Sequence, residues 1–232
     1  MTSETRCLEP GAVAVPGYLA DTYWWAYVHP GAVRLFERQW LVNLILWGNF
    51  GRLRDAALDA LGDCSQGRTL QVACVYGDLT RRLLEKHSPG GRLDVVDVLP
   101  VQLDNLARKL PRDTPVELVH GDSTSLPSSS ASYDRALLFF LLHEQPEAAR
   151  RATLAEALRV VKPGGRIVIV DYHRPHGLNP LYAPMAGVLS ALEPFALDLW
   201  RHEVAEWLPR APAGLSKHTS FGGLYQRIAI TV

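Results

Sequence analysis

The sequence lacks the features that mark secreted, membrane-spanning or nucleic-acid-binding proteins. Only three of the 232 residues are cysteine, with no CxxC pair, which argues against a disulfide framework and fits a reducing cytosol. Lys plus Arg and Asp plus Glu number 24 each, so no nucleic-acid partner is expected. The longest apolar stretch, residues 41–50, has about half the length of a spanning helix.

The N-terminal residues show no basic segment followed by an apolar run, so secretion is not indicated. We therefore expect a cytoplasmic protein that is soluble or peripheral on the inner face of the membrane. An N-terminal region dense in aromatic residues is predicted to form two helices, separated at His29-Pro30-Gly31.

Predicted strands alternate with helices from residue 69 onward. The strands cover residues 69–75, 92–98, 116–119, 133–142 and 166–171. This alternation predicts an α/β fold with a doubly wound, Rossmann-like sheet that is mostly parallel and ends in an antiparallel strand after Gly222-Gly223. We expect one domain with four parts: an N-terminal helical cap (1–66), a cofactor-binding core (67–173), a helical lid insert after strand five (174–210) and C-terminal strands (211–232).

The stretch LQVACVYGDLT, residues 70–80, predicts a strand, a turn and the start of a helix. A Rossmann-type domain binds a nucleotide-bearing cofactor at such a turn. Of the three glycines usual there only Gly77 remains, while Ala73 and Val75 stand where the others are expected. Val75 and Tyr76 would crowd a pyrophosphate, which favours the compact sulfonium amino acid of S-adenosylmethionine over a dinucleotide.

Two acidic residues are predicted to bind the rest of this cofactor. Asp97, followed by Val98, lies 20 residues after Gly77 at the end of strand two, where a ribose diol needs a hydrogen-bond acceptor. Asp122, followed by Ser123, comes after strand three, where the adenine commonly lies. Plainer interpretations remain open: a solvated acid at a helix start for Asp97, and a turn-forming residue for Asp122.

Imidazoles and carboxylates follow two neighbouring strands at the edge where ligands bind in such sheets. His143 and Glu144 follow strand four, and Asp171, His173 and His176 lie at or beyond the end of strand five. These ligand types suit a divalent transition metal, with carboxylate and water favouring manganese, so all five are candidate metal ligands. The alternative is structural: a packing histidine, a charge at a helix N-terminus and an acid at the sheet edge.

Longer motifs resemble known families. EALRVVKPGGRIVIVD and FGGLYQRIAI resemble class I S-adenosylmethionine methyltransferases of the quinone-biosynthesis kind, over roughly residues 68–232. YLADTYWWAYVHP, VACVYGD, VVDVLPVQLDNL, LLFFLLHEQPEA, VDYHRPH, EPFALDLWRHE and FGGLYQ resemble the rhodoquinone-forming (RquA) family over nearly the whole chain. The second resemblance implies conversion of ubiquinone to rhodoquinone, in which an amino group replaces a ring methoxy group. It also implies S-adenosylmethionine as the amino donor and a requirement for Mn(II).

Three side chains, His143, Glu144 and Tyr76, are candidates for the chemistry of that reaction. His143 or Glu144 could act as the general base that deprotonates the attacking amino group, or could hold a metal that polarises a quinone carbonyl. Val75 and Tyr76 are expected to shift the cofactor so that its amino group faces the quinone. Simple tolerance of a missing glycine is the alternative. Two other functions stay open: methylation of a quinone precursor, and a non-catalytic accessory protein that binds S-adenosylmethionine.

Two apolar segments could admit a lipid-soluble quinone. They cover residues 24–50 and 178–207, and they contain Trp and Tyr, which favour membrane interfaces. Four arginines could bind anionic lipid headgroups: Arg34, Arg38, Arg52 and Arg54. We expect a lid with peripheral membrane contact, while a helical cap or a dimer interface is the plainer interpretation.

Overall fold

The computed structural model describes residues 13–23, 37–87, 90–111 and 114–232. The predicted helix break at His29-Pro30-Gly31 lies outside these residues. So does Arg34, together with Cys7 and most of the motif YLADTYWWAYVHP.

Seven strands form one mixed sheet, in the order β3-β2-β1-β4-β5-β7-β6. Their bounds are β1 Gln66–Val72, β2 Gly90–Asp97, β3 Val116–His120, β4 Tyr133–Phe139, β5 Val161–Tyr172, β6 Gly214–Ser220 and β7 Tyr225–Thr231. β1 to β5 pair in parallel, whereas β7 runs antiparallel to both β5 and β6. This architecture confirms the predicted fold class, with the switch in strand order between β1 and β4.

Helices flank the sheet along the described chain. They are α1 Gly17–Thr22, α2 Gln39–Ile45, α3 Phe50–Leu61, α4 Leu79–Glu85, α5 Pro100–Lys109, α6 Glu147–Val160, α7 Tyr182–Leu192 and α8 Asp198–Arg201, with short 3-10 turns at Leu142–Glu144 and Val204–Trp207. None of the helices in the described segments is both long enough and apolar enough to cross a bilayer.

The strands alternate between two buried clusters, one on each face of the sheet. In β5, Val168 and Val170 belong to the cluster that packs against α3 and α4, whereas Ile167 and Ile169 belong to the cluster that packs against α6. Successive side chains of a strand point to opposite faces, so a strand covered on both sides is apolar throughout. The sheet is therefore rigid just below the edge where its parallel strands end.

The predicted boundaries differ from the structure at strands one, four and five. β1 lies three residues earlier at both ends, at Gln66–Val72 against the predicted 69–75. β5 begins at Val161, five residues before the prediction, because Val161 pairs with Tyr133 ahead of a register shift. β4 ends at Phe139, three residues before the prediction, because Phe140 has a positive φ of 53° and turns the chain into the 3-10 turn. That early turn brings His143 and Glu144 back over the strand ends.

Candidate active site

A cleft with both polar and apolar side chains lies along the carboxyl ends of β1, β2, β3 and β4. Five of the predicted cofactor-binding residues line it: Ala73, Asp97, Val98, Asp122 and Ser123. Cys74, Leu99, Gln102, Gln145 and Tyr18 of α1 line it as well. We call this the cofactor cleft, because its place in the fold is where such sheets bind nucleotide cofactors.

The Asp97 side chain links the turn after β1 to the start of α5 by hydrogen bonds. Its carboxylate accepts hydrogen bonds from the backbone N–H of Cys74, at 2.7 Å, and of Leu99, at 2.8 Å. Burial raises the pKa of this carboxyl, and the two backbone donors oppose the rise. The side chain is therefore fixed in one position at the cleft, with lone pairs remaining on each oxygen for a ribose diol.

Residues of the turn after β1 line two different sites. Ala73 has a positive φ of 70° and lines the cofactor cleft. Val75 and Tyr76 instead line the adjoining apolar cavity, where the Tyr76 hydroxyl accepts a hydrogen bond from Gln102 at 2.8 Å. Burial raises the pKa of that hydroxyl, so Tyr76 stays protonated at neutral pH.

Gly77, predicted to contact the cofactor, does not line the cleft. Its amide donates to Glu37 at 3.1 Å, and its φ is 83°. A Cβ at this position would stand only 3.0 Å from the Phe50 ring, so glycine lets the turn pack against α3.

Asp122 and Ser123 are held by turn and side-chain hydrogen bonds. The Asp122 carboxylate accepts from the Thr124 amide at 2.8 Å, which is the turn-forming role left open by the sequence. The Ser123 hydroxyl lies 2.9 Å from that of Thr153 and accepts from the Gln145 amide at 3.0 Å. Both residues thereby present a fixed polar wall to the cofactor cleft.

His143 and Asp171 form a buried pair beside the cleft. Nδ1 of His143 lies 3.0 Å from the Asp171 carboxylate, which also accepts from the backbone N–H of Leu142 and of Tyr172. Burial alone would lower the pKa of the imidazole, but the adjacent Asp171 charge and hydrogen bond outweigh it and raise the pKa to about 9. His143 is therefore an imidazolium at neutral pH, oriented by Asp171.

The five predicted metal ligands do not converge. His143, Glu144 and Asp171 lie together, with His143 Nε2 at 3.8 Å from Glu144 Oε1. His173 is drawn toward the C-terminal hairpin, where Nδ1 lies 2.8 Å from the Gly223 carbonyl and Nε2 lies 2.9 Å from the Lys217 ammonium. His176 is tied by its backbone N–H to Gly222.

This arrangement does not fit Mn(II). In the parts of the chain that the structure describes, no three His, Cys, Asp or Glu side chains are grouped to hold a metal ion. The Lys217 ammonium beside His173 would also repel a dication. The predicted convergence fails because β5 ends at Tyr172 and His173 then turns to hydrogen-bond with Leu224 and Gly223.

A large apolar cavity adjoins the cofactor cleft. Its volume is about 700 Å³, within the range of sites for small molecules. α2 and the following turn line one side and α7 the other, joined where the Trp47 indole N–H donates to the Met185 sulfur at 3.2 Å. The polar side chains on its wall are His143, Glu144, Glu193, Tyr76 and Tyr172.

The cleft and the cavity meet at three residues. Cys74, Phe140 and Glu144 line both. Phe140 also packs edge-to-face against His143 and Tyr172. A cofactor in the cleft and an apolar substrate in the cavity would therefore face each other across this junction, with His143 and Glu144 beside the point of contact.

Comparison with known proteins identifies the class to which this sheet and cleft belong. Residues 69–165 match the family model described as a methyltransferase domain. Human N-acetylserotonin methyltransferase, solved in complex with S-adenosylmethionine, superposes with a TM-score of 0.65 and 16% identity, over 94% of this chain and 60% of that one. At that identity the likeness shows the fold alone.

Curated relatives narrow the class to one family. The demethylmenaquinone methyltransferase of Beutenbergia cavernae is 31% identical over 180 residues, which is 72% of this chain and 70% of the relative. That of Bacillus licheniformis is 28% identical over 176 residues, or 72% of this chain and 75% of the relative. The chain belongs to the class I, S-adenosylmethionine-dependent methyltransferase family that includes these quinone-related enzymes.

Sequence reasoning missed several residues of the site. Cys74 lies inside the motif VACVYGD and Gln145 inside HEQP, so their positions beside predicted residues could have indicated them. Phe140 could not be identified from the sequence, because an apolar residue at the end of a strand does not indicate that the chain turns there. Glu193 could not be found either, since its distance along the chain from His143 hides their shared cavity.

Proposed function

We propose that this protein transfers a methyl group from S-adenosylmethionine to the ring of a lipophilic quinol. The observation that carries the proposal is the junction at Cys74, Phe140 and Glu144, which line both the cofactor cleft and the apolar cavity. The relatives named for demethylmenaquinone support a fused or substituted quinone ring as the substrate class.

The reduced ring is the nucleophile, because a quinol has the electron-rich carbon that a methyl acceptor needs. S-adenosylmethionine supplies an electrophilic methyl group, whose bonding pair returns to sulfur while the ring carbon forms the new bond and then loses its proton. His143, charged and oriented by Asp171, would hydrogen-bond to a ring oxygen and stabilise negative charge that develops there. Glu144 at the junction is placed to accept the proton.

A second candidate is the replacement of a ubiquinone methoxy group by an amino group: the α-amino nitrogen of S-adenosylmethionine adds to the ring carbon that bears methoxy, and methoxide leaves. It is favoured by one observation: Val75 and Tyr76, which replace the usual small residues, stand in the wall of the substrate cavity. They would alter how the amino acid end of the cofactor meets the substrate. Because the residues present do not fit Mn(II), no role is assigned to a metal.

Product mass separates the two candidates. Purified protein would be incubated anaerobically with S-adenosylmethionine and either short-tailed demethylmenaquinol or short-tailed oxidised ubiquinone. Methylation adds one CH2 unit to the ring, whereas exchange of methoxy for amino makes the product lighter. Cofactor labelled at the α-amino nitrogen would label only the amino product, and absence of any product with either quinone would contradict both candidates.

We also propose that the cavity opens toward a membrane surface. Five of its lining residues are at the same time exposed apolar side chains: Leu44, Ile45, Trp47, Val188 and Leu192. Neighbouring Trp40 is 60% exposed. An apolar rim that contains tryptophan suits the bilayer interface, and a quinone tail could leave the cavity there without entering water.

A further inference from the structure

The segment after β5 adds an acidic side chain to the apolar cavity. Glu193 directly follows α7, and it lines the same cavity as His143 and Glu144. Its Oε2 atom is buried and has no hydrogen-bond partner among the residues that the structure describes. A buried polar atom without a partner is costly, so a ligand that hydrogen-bonds to it gains affinity.

Four titratable side chains of the described residues lie near Glu193. The Tyr23 hydroxyl hydrogen-bonds to its carboxyl group, and the carboxyl group also lies near His143, Asp171 and Tyr172. Burial raises the pKa of the carboxyl, the His143 charge opposes this rise, and Asp171 adds to it. Either form of the carboxyl offers an oxygen that can accept a hydrogen bond from a ring hydroxyl.

A quinol ring presents two oxygens on opposite sides, and each needs a partner when the ring is buried. His143 can serve one of them. The Tyr76 hydroxyl already accepts from Gln102, and Glu144 stands at the junction with the cofactor cleft. The Tyr172 hydroxyl also lines the cavity, and the rest of the wall is largely aliphatic and aromatic. Among the cavity-lining residues, Glu193 is the one with a buried side-chain oxygen that has no hydrogen-bond partner in the described structure, which makes it the partner for the second ring oxygen.

We propose that Glu193 is a positioning residue that recognises the ring oxygen opposite the one held by His143, so that the site selects para-dioxygenated rings. The inference rests on the proposed function, since it concerns the same substrate cavity. It predicts that affinity depends on the second oxygen of the ligand only while Glu193 is present.

The test compares two ligands that differ by that one oxygen. Anaerobic titration would measure the affinity of 1,4-dihydroxynaphthalene and of 1-naphthol for the protein saturated with S-adenosylhomocysteine. We expect the wild type to prefer the diol, and Glu193→Ala to lose roughly tenfold or more in affinity for the diol while its affinity for 1-naphthol is unchanged. Glu193→Gln, which keeps a donor and an acceptor, should restore the preference, and Glu117→Ala on an exposed part of β3 is the control.

Each outcome decides one of the two proposals. Equal losses for both ligands, or a Glu193→Gln variant as weak as Glu193→Ala, would overturn the role of Glu193 while leaving the proposed function intact. A wild type that binds neither ligand would instead overturn the aromatic diol as substrate, and the inference with it. Thermal unfolding of each variant shows whether a loss comes from the site or from the fold.

Discussion

The cofactor cleft and the apolar cavity meet at one junction, yet they are built in opposite ways. The cleft is formed at strand ends, where Asp97 is fixed by the backbone amides of Cys74 and Leu99. The cavity is formed by helices far apart in the chain, which touch through Trp47 and Met185. Local backbone geometry thus shapes the cofactor cleft, while tertiary packing shapes the apolar cavity.

This difference predicts that changes in the two regions have separable effects. A change in the cleft should alter cofactor affinity, and one in the cavity should alter substrate affinity or rate with cofactor affinity intact. Residues at the junction belong to both regions. Variants in each region therefore test whether cofactor affinity and substrate affinity change independently.

The largest effect is expected from His143→Gln. Loss of the charged donor should lower kcat by about 10²–10³-fold, as for removal of an oxyanion-stabilising donor. Affinity for S-adenosylmethionine should not change, because His143 lines the cavity and not the cofactor cleft. Steady-state kinetics and calorimetric titration measure the two quantities, with His202→Gln, an exposed histidine, as the matched control.

The same residue predicts a pH dependence. The pKa of His143 rises from its ordinary value of 6.5 to about 9 in the folded protein. Its charged pair with Asp171 therefore contributes fully to stability below pH 6.5, and the contribution is lost as the pH rises through about 9. Denaturant unfolding should show a free energy that falls over this window in the wild type, and a flatter profile in His143→Gln would confirm the origin.

Asp97→Asn should give the next largest effect, confined to the cofactor. The amide keeps the size of the side chain but loses one acceptor oxygen and the charge, each of which the buried site uses. A hydrogen bond to a charged group is worth roughly 1.5–3 kcal/mol, so affinity for S-adenosylmethionine should fall on the order of tenfold to a hundredfold. Asp104→Asn on the exposed face of α5 is the control.

Equal cofactor affinity in Asp97→Asn and Asp104→Asn would contradict the assignment of the cleft. Affinity for the quinol should be the same in both variants when the cofactor product is present. A parallel loss of both affinities would instead show that the cleft and the cavity fold as one unit.

The sequence predicts the cleft well for a physical reason. Strand ends are marked by apolar runs that break at polar residues, so Asp97 and Asp122 could be placed without knowing the packing. The same logic placed His143 and Asp171 together, because β4 and β5 are neighbours. It failed for His173, whose position depends on the C-terminal hairpin and Lys217.

The cavity could not be derived in this way. Aromatic and aliphatic residues at 24–50 and 178–207 indicated two apolar segments, but helix rotation decides which side chains face the cavity. Leu189 is buried and lines it, while Leu178 is almost fully exposed, although both are leucines in one segment. Which side chains face the cavity depends on contacts between distant segments, and no local pattern in a single sequence indicates those contacts.

A smaller effect is expected from Trp40→Ser combined with Leu44→Ser. Both side chains are exposed, at 60% and 65%, and Leu44 also lines the cavity. Binding to anionic liposomes should weaken about tenfold, because burial of each apolar side chain contributes a part of roughly 1.5–3 kcal/mol. Flotation measures binding, and Leu215→Ser, an exposed apolar residue of β6, is the control.

Liposome binding that is absent in the wild type at low salt would contradict the membrane proposal. So would an equal loss in the Leu215→Ser control. In either case the apolar rim would serve only the entry of the substrate.

The smallest effect tests whether the unusual turn of the cleft is strained. Ala73 adopts a φ of 70°, where an L-residue other than glycine is disfavoured by roughly 1–2 kcal/mol. Ala73→Gly relieves that strain but adds unfolded-state entropy, so the free energy of unfolding should rise by about 0.5–1 kcal/mol. Ala60→Gly within α3 should lower it by a similar amount, because glycine there has only the entropic cost.

Cofactor affinity decides what the alanine does. If Ala73→Gly is more stable and binds S-adenosylmethionine as tightly as the wild type, the turn is an ordinary cofactor site that tolerates a side chain. If stability rises while affinity falls, the Ala73 methyl group contacts the cofactor, and the strain is retained because it shapes the cleft. Chemical denaturation and titration of the same preparation distinguish these outcomes, and they show whether the altered turn belongs to the cofactor cleft alone or also to the cavity beyond it.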